Sequence, residues 1–97
     1  MHARVGTLCP HPDDFDSVVQ ALHEQVIPAA QRQHGYFGFL VISNRQANKV
    51  IGTTLWDTEA DMHASARGKY LQDQVSQLLP LLRRPPDFEE YTVDAIS

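Results

Sequence analysis

The sequence predicts an α+β fold with the element order β-α-β-β-α-β, and three observations carry that prediction. Two segments place apolar residues at the three- and four-residue steps of an amphipathic helix. Four short segments are rich in strand-forming residues. Prolines, glycines and short polar runs fall between these segments, where element ends belong.

Residues 3–9, ARVGTLC, read as the first strand, with Val5, Thr7 and Cys9 on one parity. Pro10 and Pro12 end it, and Pro12 suits the first turn of a helix, with Asp13 and Asp14 beside the positive end of its dipole. Phe15, Val18, Val19, Leu22 and Val26 then draw one apolar stripe, while Asp16, Gln20, His23 and Glu24 fall mostly off it. Pro28 is expected to kink or shorten this helix, and Gly35 to close it.

Residues 36–43, YFGFLVIS, and 50–56, VIGTTLW, form the central pair of strands, joined by the polar loop Asn44 to Lys49 as a hairpin. Asp57 and Thr58 offer N-caps, and Glu59 to Leu82 reads as helical, split by Gly68. Leu71, Val75, Leu78, Leu79 and Leu82 make the stripe of the second part. Pro80 predicts a kink, or an end near Leu79 and a final turn. Pro85-Pro86 is a stop, and residues 88–96, FEEYTVDAI, form the last strand. The unit is ferredoxin-like: a four-stranded antiparallel sheet with both helices on one face. At 97 residues it is expected to be a single domain spanning 1–97.

The central hairpin also predicts assembly. A strand with one wet face alternates apolar and polar residues. Here Phe37, Phe39 and Val41 point one way and Tyr36, Leu40 and Ile42 the other, while Val50, Ile51, Leu55 and Trp56 are apolar on both parities. Two helices cover one face only. A homodimer packed through the other sheet face removes the exposed patch, and a large hydrophobic ligand there is the rival explanation.

Composition narrows the partners. Eight Lys and Arg against 12 Asp and Glu give a net charge of −4, which argues against a nucleic-acid surface. The one basic pair, Arg83-Arg84, reads as helix C-terminal cations. No apolar run approaches the ~20 residues that span a bilayer, so no membrane partner is expected. Cys9 is the only cysteine and reads as a buried strand residue, consistent with a reducing cytoplasmic location.

The run HGYFGFLVISNRQANKVIGTTLWDTEADMHAS, residues 34–65, resembles a pattern in antibiotic-biosynthesis-monooxygenase-like proteins. There a glycine-aromatic strand precedes a hairpin, and a strand ending in Leu-Trp precedes acidic residues that open the second helix. The terminal FEEYTV is similar to that family's closing strand. The resemblance implies a dimeric α+β barrel and, for some members, oxidation of aromatic phenols by molecular oxygen with no metal or flavin. The haem-opening members use an Asn on the first strand, the strand-end Trp and a His on the second helix. Trp56 matches, ARVGTLC has no Asn, and His63 lies only seven residues after Trp56, so haem degradation is the less favoured implication.

Five residues are candidates for chemistry. His63 has the residue type of a general base for a phenol or hydroquinone. Trp56 could wall an aromatic pocket and aim its N–H at a ligand oxygen, or could pack the core. Tyr36, Tyr70 and Tyr91 could donate hydrogen bonds to a substrate carbonyl. His2, His11, His23 and His34 show no metal-ligand spacing, so no metal is expected. The expected function is a cofactor-independent monooxygenase-like protein acting on a small aromatic or quinol-type molecule in a cleft between sheet and helices. The alternative is a non-catalytic small-ligand-binding or stress-related protein of the same fold.

Overall fold

The computed structural model describes residues 1–97. Strand β1 (His2–Leu8) leads through a 3-10 turn, Pro12–Asp14, into helix α1 (Phe15–Ala21). A π-helical turn, Leu22–Val26, joins α1 to α2 (Ile27–Gln31). Strands β2 (Tyr36–Asn44) and β3 (Lys49–Trp56) form the hairpin. Helices α3 (Glu59–Arg67) and α4 (Lys69–Leu78) follow, then a 3-10 turn, Leu79–Leu81, and strand β4 (Asp87–Thr92). The sheet is antiparallel in the order β2-β3-β1-β4, the ferredoxin-like arrangement that the element order predicts.

Each boundary has a local cause. Pro12 occupies the first turn, where its missing N–H costs nothing. Pro28 does not end its helix. The chain widens just before it into a π turn in which the Ile27 N–H donates to the Leu22 carbonyl, and α2 restarts with the proline in its own first turn. Gly35 adopts φ +79°, and a side chain there would collide with the Asp61 carboxylate. Its carbonyl accepts from the Asp57 N–H at 2.8 Å, which ties the start of β2 to the end of β3. The Thr58 hydroxyl caps α3 by accepting from the Asp61 N–H at 3.0 Å. Gly68, extended at φ −75° and ψ 173°, separates α3 from α4.

The core sits between the first helix and the sheet. Phe15, Val18, Leu22 and Val26 pack with Leu8 of β1, Val50 of β3, and Leu78 and Leu82 from the second helical region. Fully burying side chains of this size contributes about 1.5–3 kcal/mol each. Leu79, expected on the same stripe, is exposed, because the 3-10 turn imposed by Pro80 rotates it away from the sheet.

Three other expectations are revised. A β-bulge between Tyr36 and Gly38 lets Tyr36 pair with Trp56 while Leu40 pairs with Thr53. Tyr36 is therefore on the helix side with Trp56, not on the face of Leu40 and Ile42, because one unpaired residue flips parity. Strand β4 stops at Thr92 rather than Ile96: past the paired residues Thr92 and His2, a single further bond, from the Val93 N–H to the Met1 carbonyl at 3.0 Å, ends the ladder. Arg83 and Arg84 lie beyond the last helical turn, and the Arg83 N–H donates to the Cys9 carbonyl at 2.8 Å. Cys9 itself is buried just past the end of β1.

The sheet face away from the helices carries Leu40 and Ile42 of β2, Ile51, Thr53 and Leu55 of β3, and Val5 and Thr7 of β1, by register. Leu40 is 56% and Ile42 50% exposed, and no element of the chain covers them. Toward β4 the same face turns acidic, with Asp87 beside Thr7 and Glu89 beside Val5.

Candidate functional site

A cleft lies between the sheet and the second helical pair. Its floor begins with a cross-strand pair of glycines, Gly6 and Gly52. The Phe88 ring lies over Gly6, where a Cβ would meet it at 2.8 Å, and the Phe39 ring lies over Gly52. Two glycines on neighbouring strands thus leave a flat, aromatic-flanked surface where other residues would fill the space. Leu22 and Val26 of the first helical region form the back wall, and α4 forms the roof through Tyr70, Leu71, Gln74 and Val75. The cleft is partly open to solvent and leaves about 40 Å³ for water-sized molecules. That is room for roughly three waters.

Arg4 lies at one end of this cleft. It is the only charged residue of β1, and its parity, shared with Gly6 and Leu8, turns it toward the helices. It is 3% exposed. One terminal nitrogen, Nη2, donates to the Met62 carbonyl and to the Ser65 hydroxyl at 3.0 Å, both on α3. The guanidinium carbon lies 5.7 Å from the centre of the Trp56 ring, in cation–π range. The other terminal nitrogen, Nη1, has no hydrogen-bond partner, and no carboxylate comes within ion-pair distance of Arg4. Burial lowers its pKa, while Tyr70 and the Glu90 charge raise it. A second buried orphan, Gln74 Oε1, lies on the same cleft.

Tyr70 is the one residue among the five candidates that lines this cleft. Burial pushes its phenol up to about 12, with Arg4 pulling the opposite way and Tyr36 adding to the rise. It is a hydroxyl donor at neutral pH. Trp56 is fully buried at 0% exposure and packs behind Arg4 rather than walling the cleft. Its indole N–H has no partner. Tyr36 meets it edge-on at 6.4 Å and 90°, outside the cleft lining.

His63 and Tyr91 open onto a separate shallow depression with His2, Glu59 and Glu90. His63 Nε2 lies 3.2 Å from Glu90 Oε1. The Tyr91 phenol is raised above its ordinary value, first by a hydrogen bond to the Glu89 side chain, then by burial and by the Glu89 charge. No group of three or more His, Cys, Asp and Glu side chains converges anywhere in the chain in a way that could hold a metal ion. No helix is long and apolar enough to cross a membrane.

Sequence reasoning passed over Arg4 and Gln74. A signal for Arg4 was present: a lone cation in a short strand, at the parity of Gly6 and Leu8, in a β-α-β-β-α-β unit whose first strand is central. Gln74 carries no such signal, since a glutamine on a helix is ordinarily solvated.

No protein-family profile matches the chain. Two uncharacterised proteins of Mycobacterium tuberculosis, MT2634 and Rv2557, are each 31% identical to it over 65 residues, which is 67% of this chain and 29% of theirs. The match thus spans less than a third of the length of these relatives. Among solved structures, a candidate antibiotic biosynthesis monooxygenase from Deinococcus radiodurans aligns over 100% of this chain and 97% of its own, with a TM-score of 0.82 and 20% identity. A protein of unknown function from Nitrosomonas europaea aligns over 99% and 91%, with a TM-score of 0.81 and 18% identity. SnoaB, a cofactor-independent oxygenase from Streptomyces nogalater, aligns over 98% and 94%, with a TM-score of 0.75 and 15% identity. The chain has the fold of the antibiotic-biosynthesis-monooxygenase-like proteins, as the resemblance in its central hairpin implies.

Proposed function

We propose that residues 1–97 form one domain of a cofactor-independent monooxygenase-like protein, acting on a small aromatic or quinol-type molecule in the cleft beneath α4. The observation that carries this reading is the cleft itself: flat, apolar on most sides, and holding the Tyr70 hydroxyl and the Arg4 guanidinium at its edges. Such an arrangement suits a ring with an oxygen substituent. Cofactor-free oxygenation needs an electron-rich substrate anion and donors for its oxygen, and Tyr70 is protonated for that role. For an anthrone-type substrate the methylene carbon becomes a carbonyl. Dioxygen supplies that oxygen, and its second atom leaves as water with the two methylene hydrogens. SnoaB, of like fold, is a cofactor-independent oxygenase, which supports the class of reaction.

The cleft in its closed form is smaller than such a ring. Helix α4 buries only Leu78 completely and is set off from α3 by the break at Gly68, so it is the wall of the cleft held by the fewest fully buried side chains. Admission by movement of α4 is part of the proposal.

A second reading has its own support. No His, Asp, Glu or Cys lines the cleft, so it contains no conventional base. A non-catalytic domain that binds the same class of molecule fits that lining. The discriminating measurement is oxygen uptake with a panel of anthrones and quinols, run beside thermal shifts with the same compounds. The enzyme is expected to consume oxygen above the uncatalysed rate, and Tyr70→Phe to lose roughly 10²-fold. Binding without oxygen uptake leaves the second reading, and neither binding nor uptake removes both.

The acting form is proposed to be a homodimer joined through the outer sheet face, where Leu40 and Ile42 await a cover. The buried, unpaired Cys9 fits a reducing, cytoplasmic setting.

A further inference from the structure

Four features of the cleft converge on one ligand property. Arg4 is a cation almost wholly removed from water, with Nη1 unpartnered and no carboxylate in reach. Its two acceptors, the Met62 carbonyl and the Ser65 hydroxyl, are neutral. Glu90, the nearest influence of opposite sign, hydrogen-bonds with His63 in the neighbouring depression instead. Gln74 adds an unpartnered acceptor on the same wall. A buried charge without a counter-charge is strongly unfavourable, and a buried donor or acceptor left unpaired loses the hydration it had in water with nothing in return. A ligand that supplied one oxyanion and one hydroxyl would satisfy all of these groups together.

We propose that this cleft takes its ligand as an oxyanion, a flat phenolate or enolate paired with Arg4 Nη1, with a second hydroxyl of the ligand donating to Gln74 Oε1. The inference rests on the reading that the cleft is the binding site, and it specifies the charge and substituents of what binds there. It also answers the absence of a base along the wall. A guanidinium at the ligand oxygen lowers the acidity barrier of a phenol by favouring its ionised form, so ionisation needs no side chain to hold the proton. The proton passes to water as the ligand enters. Tyr70 and Glu90 are the titratable groups whose fields reach Arg4, and Tyr70, held protonated, adds a neutral donor rather than a competing charge.

The test uses 4-nitrophenol, whose phenolate and phenol absorb at different wavelengths, and 4-nitroanisole, its neutral counterpart. Titration is done at mildly acidic pH, where the free phenol is mostly neutral. The bound probe is expected to show the phenolate band, and nitroanisole to bind about 10-fold or more weakly. Arg4→Met should abolish the band and bring the two affinities together, while Arg4→Lys should retain part of both effects. A preference for 4-nitrocatechol over 4-nitrophenol, lost in Gln74→Leu, is expected from the second contact. If Arg4→Met fails to fold, the wild-type spectrum and the nitroanisole comparison decide alone. A bound probe with the neutral spectrum, or nitroanisole binding as tightly as nitrophenol, overturns the oxyanion and leaves the cleft reading standing. Failure of every probe to raise the melting temperature overturns both.

Discussion

The two βαβ halves of this molecule solve the same topological problem with unequal packing. In the first half, the helical region from Phe15 to Gln31 buries Phe15, Val18, Leu22, Val26, Ala29 and Ala30 against the sheet. In the second, α3 buries Met62 and Ser65, α4 buries Leu78 alone, and every residue of β4 is exposed. The cleft lies under the loose half, and its back wall is the tight one. The difference has a sequence cause. Leu71 and Val75 meet the sheet at Gly6 and Gly52, where only the Phe88 and Phe39 rings, lying over the glycines, stand in for side chains of the central strands. Regions with few buried apolar contacts open most readily, which is what the proposed admission of a ligand beneath α4 requires.

Truncations should expose the inequality most strongly. Phe15→Ala, in the tight half, and Trp56→Ala, at the buried end of β3, are each expected to cost about 3–5 kcal/mol in urea unfolding. Leu71→Ala, whose side chain borders open space, should cost about 1 kcal/mol or less. A domain of this size shifts its melting point by roughly 4–8 °C per kcal/mol, so the two classes separate easily. Equal losses at Phe15 and Leu71 would show that α4 is as firmly seated as α1.

A second contrast lies across the outer sheet face. It is apolar at the β2–β3 end and acidic at the β4 end. If the proposed homodimer forms through this face, replacing Leu40 and Ile42 together with Lys should leave monomer by light scattering, while Glu89→Lys should leave the assembly intact. A wild-type protein that is already monomeric at micromolar concentration would remove the proposed assembly.

The smallest effect is confined to alkaline pH. Tyr70 holds its proton more tightly folded, at about 12, than unfolded, at 10.0. Its contribution to stability is complete below pH 10 and is lost as pH rises toward 12. Tyr70→Phe should therefore flatten the stability profile above pH 10 and leave neutral stability nearly unchanged. An identical alkaline slope in both proteins would mean that the phenol is solvated and that α4 stands further from the sheet.

Local order was legible from the chain because it is set by local rules. The stripe from Phe15 to Val26, the Gly68 break, the Pro80 turn and the β2–β3 hairpin all follow from periodicity and from residues that cannot continue an element. The apolar character of both faces of the hairpin was equally plain. What tertiary structure decided is which face each strand turns to the helices and what fills the space between them. One bulged residue moved Tyr36 to the side of Trp56, and close packing made that tryptophan core. Arg4 became a buried, half-satisfied cation only through partners 58 and 61 positions away on α3. No local pattern contains such distances. The desolvation that gives Arg4 its chemical meaning arises only when α3 and α4 close over the sheet.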